Sequence, residues 1–119
     1  MSLLFQPKHI ESIRAGEKTA TRRDWAEGHN RPAVGSIQMA VRELFTSDAA
    51  CDCYIEIEAV YRQSLGAMDE ADARAEGGYT LAEFRDAWQE INGDGAWDEN
   101  LVVDVVEFRY VGRSRPTES

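Results

Sequence analysis

Lysine is almost missing from this chain: of its 13 basic residues, only Lys8 and Lys18 are lysines, against 22 carboxylates. An acid-rich, lysine-poor surface is what a high-salt cytoplasm favours, because excess carboxylates keep a protein soluble there. The chain is therefore expected to be a halophile-like acidic protein. Cysteine is scarce too. Cys51 and Cys53 are separated by one residue, too close for an ordinary disulfide to close a useful loop, so no disulfide scaffold is indicated. With only His9 and His29 as further soft ligands and no second cysteine pair, no metal centre or cofactor is expected, and the thiols are read as buried on a strand face. Long apolar runs are absent. Leu101 to Val106 falls far short of a membrane span, and Met1 to Phe5 is too short for a secretory core, so a soluble, cytoplasmic protein is expected. Glu90 to Leu101 has a faint calcium-loop pattern in Asn92, Asp94 and Gly95, but Leu101 stands where a bidentate glutamate is required.

What remains is enough for one core: 119 residues, 43% of them apolar. The net charge of −9 repels polyanions at long range, yet the charge is unevenly placed. Residues 1–42 carry seven basic and four acidic groups, whereas 43–119 carry six and eighteen. Any contact with a polyanion is therefore expected to be confined to one face, or to occur in high salt where long-range repulsion is screened.

Patterning predicts about five strands and three helices. A strand at Leu3 to Phe5 leads to a helix opened by Pro7, carrying Ile10 and Ile13 and stopped at Gly16. Strands are expected at Lys18 to Arg23, over the alternating Ile37, Met39 and Val41, and over Cys51 to Tyr61, where odd-numbered positions are the apolar ones. Gly66 to Ala75 reads as a weak helix. Thr80 to Ile91 reads as a strong one, with a Thr80 and Glu83 capping box and a stripe of Leu81, Phe84, Trp88 and Ile91. A last strand covers Leu101 to Val111, and 112–119 is expected to be a polar tail. The fold class is α+β, a small mixed barrel or strongly curved sheet with flanking helices.

The densest chemistry is Gly16-Glu17-Lys18-Thr19-Ala20-Thr21-Arg22-Arg23-Asp24-Trp25. Arg22 and Arg23 suit phosphate or carboxylate groups, Trp25 suits base stacking, and Lys18 becomes a base if burial lowers its pKa. The same composition also fits a strand edge with solvated arginines.

The pattern Gly16-x-Lys18-x-x-Thr21 with Arg23 two residues on, and later Ala75-Glu76-Gly77-Gly78 before the capped helix with Phe84 and Trp88, resembles the ASCH domain of the PUA-like superfamily over residues 3–111. The resemblance implies a β-barrel with flanking helices around a cleft (residues 1–111 forming the domain) and an association with RNA or a modified nucleoside. Small bacterial enzymes of that family are amidohydrolases that deacetylate N4-acetylcytidine with a lysine, a threonine and a glutamate. Lys18 and Thr21 match the first two directly, and Glu76 matches the third with one residue inserted before Thr80-Leu81. Arg23 matches an arginine lining the same cleft. Asn92 to Glu99 is a longer connection than the family's small deacetylases have. The implied roles are Thr21 as nucleophile, Lys18 as proton acceptor and Glu76 as acid toward the leaving amine. Because Lys18 and Thr21 are three apart, an ideal strand would point them to opposite faces, so a bulge or turn at Thr19-Ala20 is required. Rival readings are a non-catalytic RNA-binding module, with an exposed, charged Lys18, a ribonuclease in which Lys18 and Arg23 stabilise a phosphorane, and an acidic domain that binds protein.

Overall fold

The computed structural model describes residues 2–43 and 45–114. Five strands and three helices follow one another as β1 (Ser2–Leu4), α1 (Pro7–Arg14), β2 (Ala20–Arg23), β3 (Ile37–Val41), β4 (Tyr54–Ser64), α2 (Glu70–Ala75), α3 (Leu81–Asn92) and β5 (Val102–Gly112), with short 3-10 turns at Asp48–Ala50 and Leu65–Ala67. The α+β class and the number of elements agree with the sequence reading. Gly112 closes β5, so the expected tail starts later; residues 115–119 lie outside the described part of the chain.

The strands form one mixed sheet in the order β1-β3-β4-β5-β2, parallel between β1 and β3 and antiparallel elsewhere. Among the described residues β1 and β2 are edges, so the sheet does not close into a barrel. It curls far enough for the Arg23 Nη2 to donate to the Leu4 carbonyl at 2.7 Å, a side chain bridging the two edges where a backbone ladder would complete a barrel.

Local chemistry explains the helices. Pro7 sits at the first position of α1, where its missing N–H costs nothing, and Gly16 adopts φ +80 beyond the helix end. Both α2 and α3 start with reciprocal capping boxes, Asp69 with Asp72 and Thr80 with Glu83. The weak helix expected over Gly66 to Ala75 is divided: Leu65–Ala67 forms a 3-10 turn and α2 begins only after the Asp69 cap.

Two strand expectations are corrected. On β3 the core face carries Ala40, with Gln38 buried beside it, while Ile37, Met39 and Val41 pack on the other side with Cys51 and Tyr54. Both faces are covered, so alternation alone could not pick the inner one. On β4 the register shifts between Ile57 and Ala59, where two β4 residues oppose one on β5. This bulge reverses the phase, so Tyr61, expected inside, is exposed, and Val60 packs on the core instead. Cys53 belongs to the main core and Cys51 to the smaller cluster; burial pushes the Cys53 thiol up to about 12, which makes it inert.

The main core lies between α1 and the sheet. Ile10 and Ile13 are fully buried against Phe5, Ile55, Ile57 and Phe108, contributing roughly 1.5–3 kcal/mol each by removal from water. A second cluster joins α2 and α3 to β5 through Met68, Ala73, Phe84, Trp88 and Val103.

Candidate active site

The chain after α1 is tied to the end of α2 by backbone and side-chain bonds together. The Thr19 N–H donates to the Ala75 carbonyl at 2.8 Å, and the Lys18 ammonium donates to the Glu76 carbonyl at 2.7 Å. A cation at the free carbonyls of a helix end is favourably placed. The ammonium also donates to the Ala20 carbonyl at 2.9 Å and to Glu76 Oε1 at 3.3 Å. On the far side of the carboxylate, Arg22 Nη1 donates to Glu76 Oε2 at 2.8 Å, and its Nη2 donates to Gln63 Oε1 at 2.7 Å and lies 3.5 Å from Asp72. Lys18 and Glu76 are each only 3% exposed. Two cations therefore share one buried carboxylate, leaving the triad with a net positive charge. Burial drives the Lys18 pKa down, with Arg23 and Arg22 adding to the effect, and Glu76 opposes it.

Thr21 and Arg23 lie two apart on β2 and so share a side of the strand. Arg23 Nε donates to the Thr21 hydroxyl oxygen at 3.1 Å, using an acceptor lone pair and leaving the hydroxyl proton free for a base. The bulge expected at Thr19-Ala20 is not needed. β2 begins at Ala20, one strand residue before Thr21, and Lys18 belongs to the irregular segment ahead of it, so strand alternation does not separate the two side chains.

Lys18, Thr21, Arg22, Arg23 and Glu76 all line one cleft of about 450 Å³ between α1, the β1 and β2 edges and α3, a size suited to a small-molecule ligand. α3 contributes apolar side chains to the lining, Phe84, Ala87, Trp88 and Ile91, whereas Phe5 lies against the cations, its ring 4.8 Å from the Arg23 guanidinium and 5.8 Å from the Lys18 ammonium. Of the apolar stripe expected on α3, Phe84 and Trp88 are buried, Ile91 is 58% exposed at the rim, and the stripe borders the cleft as well. Trp25, the expected stacking residue, is not brought to the cleft. Its ring stacks on His29 at 4.8 Å, lies under the Arg31 guanidinium and packs on the main core. Arg31 in turn forks onto Asp104 at 2.9 and 3.1 Å and binds the carbonyls of Ala26, Glu27 and His29, which holds the irregular 26–35 connection together. Among the described residues no group of three or more metal-ligating side chains converges.

His9 and Tyr79 also line the cleft and escaped the sequence reading. The His9 Nε2 and the Tyr79 hydroxyl are 3.0 Å apart, across 70 positions of sequence. Nothing in local patterning pairs them. Burial, and then the positive charges of Lys18, Lys8 and Arg23, lower the His9 pKa from 6.5 to about 4. A histidine that resists protonation when folded destabilises the native state in acid: its contribution is complete above pH 6.5 and declines as pH falls toward 4, where the unfolded chain takes the proton first. For this half-buried ring the loss should be about 1–2 kcal/mol after solvent screening. Urea midpoints at pH 7 and pH 4.5 should therefore converge in His9→Gln relative to wild type; an unchanged gap would show that His9 does not cause it.

No protein-family model matches the sequence, and no curated protein is recognisably similar to it. Solved structures are similar in fold. An ASCH domain from Lactobacillus crispatus superposes with a TM-score of 0.69 at 23% identity, covering 88% of this chain and 71% of that one. ZmASCH from Zymomonas mobilis, solved as a mutant, gives 0.64 at 15% identity, covering 98% and 73%. A protein from Enterococcus faecalis gives 0.61 at 17% identity, covering 92% and 75%. No described helix is long and apolar enough to cross a membrane. The mixed five-stranded sheet, its three helices and these superpositions together show that the chain has the ASCH, PUA-like fold.

Proposed function

We propose that this protein belongs to the ASCH family and is an amidohydrolase that binds a modified nucleoside in the cleft and removes the N4-acyl group of N4-acetylcytidine or a close analogue. The observation that carries this reading is the burial of Lys18 against Glu76 in a cleft that Thr21 also lines. A threonine is a weak nucleophile by itself and needs an adjacent base, and a buried lysine next to two arginines is pushed toward the neutral amine that can serve.

The neutral Lys18 amine keeps two N–H groups for its shorter bonds, to the Glu76 and Ala20 carbonyls, and gives up the longest contact, to Glu76 Oε1. Its freed lone pair takes the Thr21 hydroxyl proton as Oγ bonds to the acyl carbon. The Arg23 Nε already on that oxygen holds the nucleophile in place, and the negative charge passes to the acyl carbonyl oxygen as Oγ adds. The carbon–nitrogen bond then breaks, and the Lys18 ammonium returns its proton to the departing amine. Water, deprotonated by Lys18, attacks the acyl-threonine ester, releasing acetate and restoring Thr21. Glu76 Oε2 accepts from Arg22, and Oε1 receives Lys18 each time the amine takes up a proton, which suits a carboxylate that holds Lys18 in place better than the acid role drawn from the sequence. Nucleobase and ribose would lie along the α3 wall.

An RNA-binding module requires an exposed, charged Lys18, and a ribonuclease requires its ammonium to be free for phosphate; a buried Lys18 nitrogen engaged by the Ala20 and Glu76 carbonyls fits neither as well. The net charge of −9 also favours a nucleoside over a polyanion. The deciding assay incubates the protein with N4-acetylcytidine and with single-stranded RNA, at low and molar salt, beside Lys18→Ala. Acetate release that disappears in the variant is the expected result. RNA cleavage without acetate, or RNA binding without turnover of either, would replace this reading with the ribonuclease or the module.

A further inference from the structure

The proposed reaction employs Lys18, Thr21, Arg23 and Glu76 and leaves the His9 and Tyr79 pair idle, although both side chains line the same cleft. They form its outer layer: each is half-buried, whereas Lys18 and Glu76 beneath them are closed off. Tyr79 belongs to the connection that also holds Glu76, separated from it by Gly77 and Gly78 at φ +142 and +83, backbone conformations that favour glycine. That double-glycine step reverses the chain between the end of α2 and the Thr80 cap of α3, and it turns the tyrosine toward α1. The ring is fixed by edge contact with Phe84 at 5.9 Å, and the hydroxyl is fixed by His9. A phenol can take part in up to three hydrogen bonds, and among the described residues only His9 engages this one. A half-buried hydroxyl held in one position with unused capacity, at the edge of an apolar wall, is what a site needs to orient a flat heterocycle.

We propose that Tyr79 is a specificity-determining residue of this cleft, its hydroxyl hydrogen-bonding the polar edge of the pyrimidine, and that His9 is the positioning residue that aims it. This rests on the nucleoside amidohydrolase reading above. It adds that recognition of the base is divided from catalysis: the Lys18, Thr21 and Glu76 group acts on the acyl carbon, and the α1-to-α3 bridge reads the ring. A neutral imidazole suits this task. Burial, and then the positive charges around it (Lys18 when protonated, Lys8 and Arg23), lower its pKa to about 4, so it stays uncharged across the working pH range and its bond to Tyr79 is constant.

Three variants test the proposal: Tyr79→Phe, which keeps the ring on Phe84, His9→Leu, and the double variant, each checked for an unchanged thermal transition before assay. With N4-acetylcytidine, each single variant should raise KM about tenfold, the size of one lost hydrogen bond, with kcat within about twofold. The double variant should be no worse than the singles, because the pair acts as a unit. For the wild type, KM should be flat from pH 5 to pH 8. A KM unaffected by Tyr79→Phe, effects that multiply in the double variant, or losses confined to kcat would overturn the assignment. If the wild type releases no acetate, the hydrolase reading fails, and calorimetry with cytidine then decides the pair separately. Tenfold weaker cytidine binding in Tyr79→Phe would uphold its role in recognition; equal affinity, or no binding by the wild type, would overturn that too.

Discussion

Glu76→Ala is expected to destabilise the fold by about 3–5 kcal/mol, a large part of the stability of a domain this size, because it leaves the buried Arg22 guanidinium, and Lys18 wherever it is protonated, around an empty space. Lys18 and Arg22 now share that carboxylate at 3.3 and 2.8 Å, and neither has another carboxylate as close. The penalty has an internal limit. Lys18 can shed its proton once Glu76 is gone, whereas Arg22 cannot, so the loss should ease as pH is raised and the lysine neutralises. Urea denaturation at pH 7 and pH 9.5 measures both effects through the midpoint at constant slope. The triple replacement Lys18→Met, Arg22→Met and Glu76→Leu should recover most of the stability, since a buried ion network contributes little more than well-packed apolar residues of similar size. Recovery of the fold without recovery of activity would separate the structural duty of this triad from its chemical one.

Thr21→Ala carries the second large effect, on turnover. Removing the nucleophile should reduce acetate release by at least about ten-thousand-fold, whereas Thr21→Ser, which keeps the oxygen, should stay within roughly tenfold of wild type. Stability should fall by only about 1–2 kcal/mol in Thr21→Ala, the value of the lost hydrogen bond from Arg23. Steady-state release of acetate from N4-acetylcytidine, with a denaturation curve for each variant, makes the comparison. Equal activity in the alanine and wild-type proteins would remove Thr21 from the chemistry and shift attention to a water attacking directly.

How much of this was legible beforehand depends on the range of the interaction. Pro7 at the start of α1 and the Thr80 and Glu83 box at the start of α3 are decided within one helical turn, and both are found where the pattern put them. The clustering of Lys18, Thr21 and Glu76 was reached through motif order, because sequence spacing says nothing about a carboxylate 58 positions from its lysine. Where tertiary packing decides, local reading failed. The β4 bulge after Ile57 inverted the inner face, and the doubly covered β3 had no single apolar side to reveal. Trp25 is near the arginines in sequence, yet it was drawn away by His29 and Arg31, and α3 supplies the apolar wall in its place. The His9 and Tyr79 pair left no sequence signal at all, as two single residues on separate elements with no repeated spacing.

The scarcity of lysine supplies the most direct test. Lys8 and Lys18 are the chain's two lysines, so a protein labelled at lysine ε-carbons gives one signal from exposed Lys8 and one from buried Lys18, assigned by the loss of the second in Lys18→Met. The account predicts that the Lys18 signal titrates at distinctly lower pH than the Lys8 signal, as a buried amine that serves as base must. Coincident titrations in the ordinary lysine range would contradict it, since Thr21 would then have no base beside it at neutral pH.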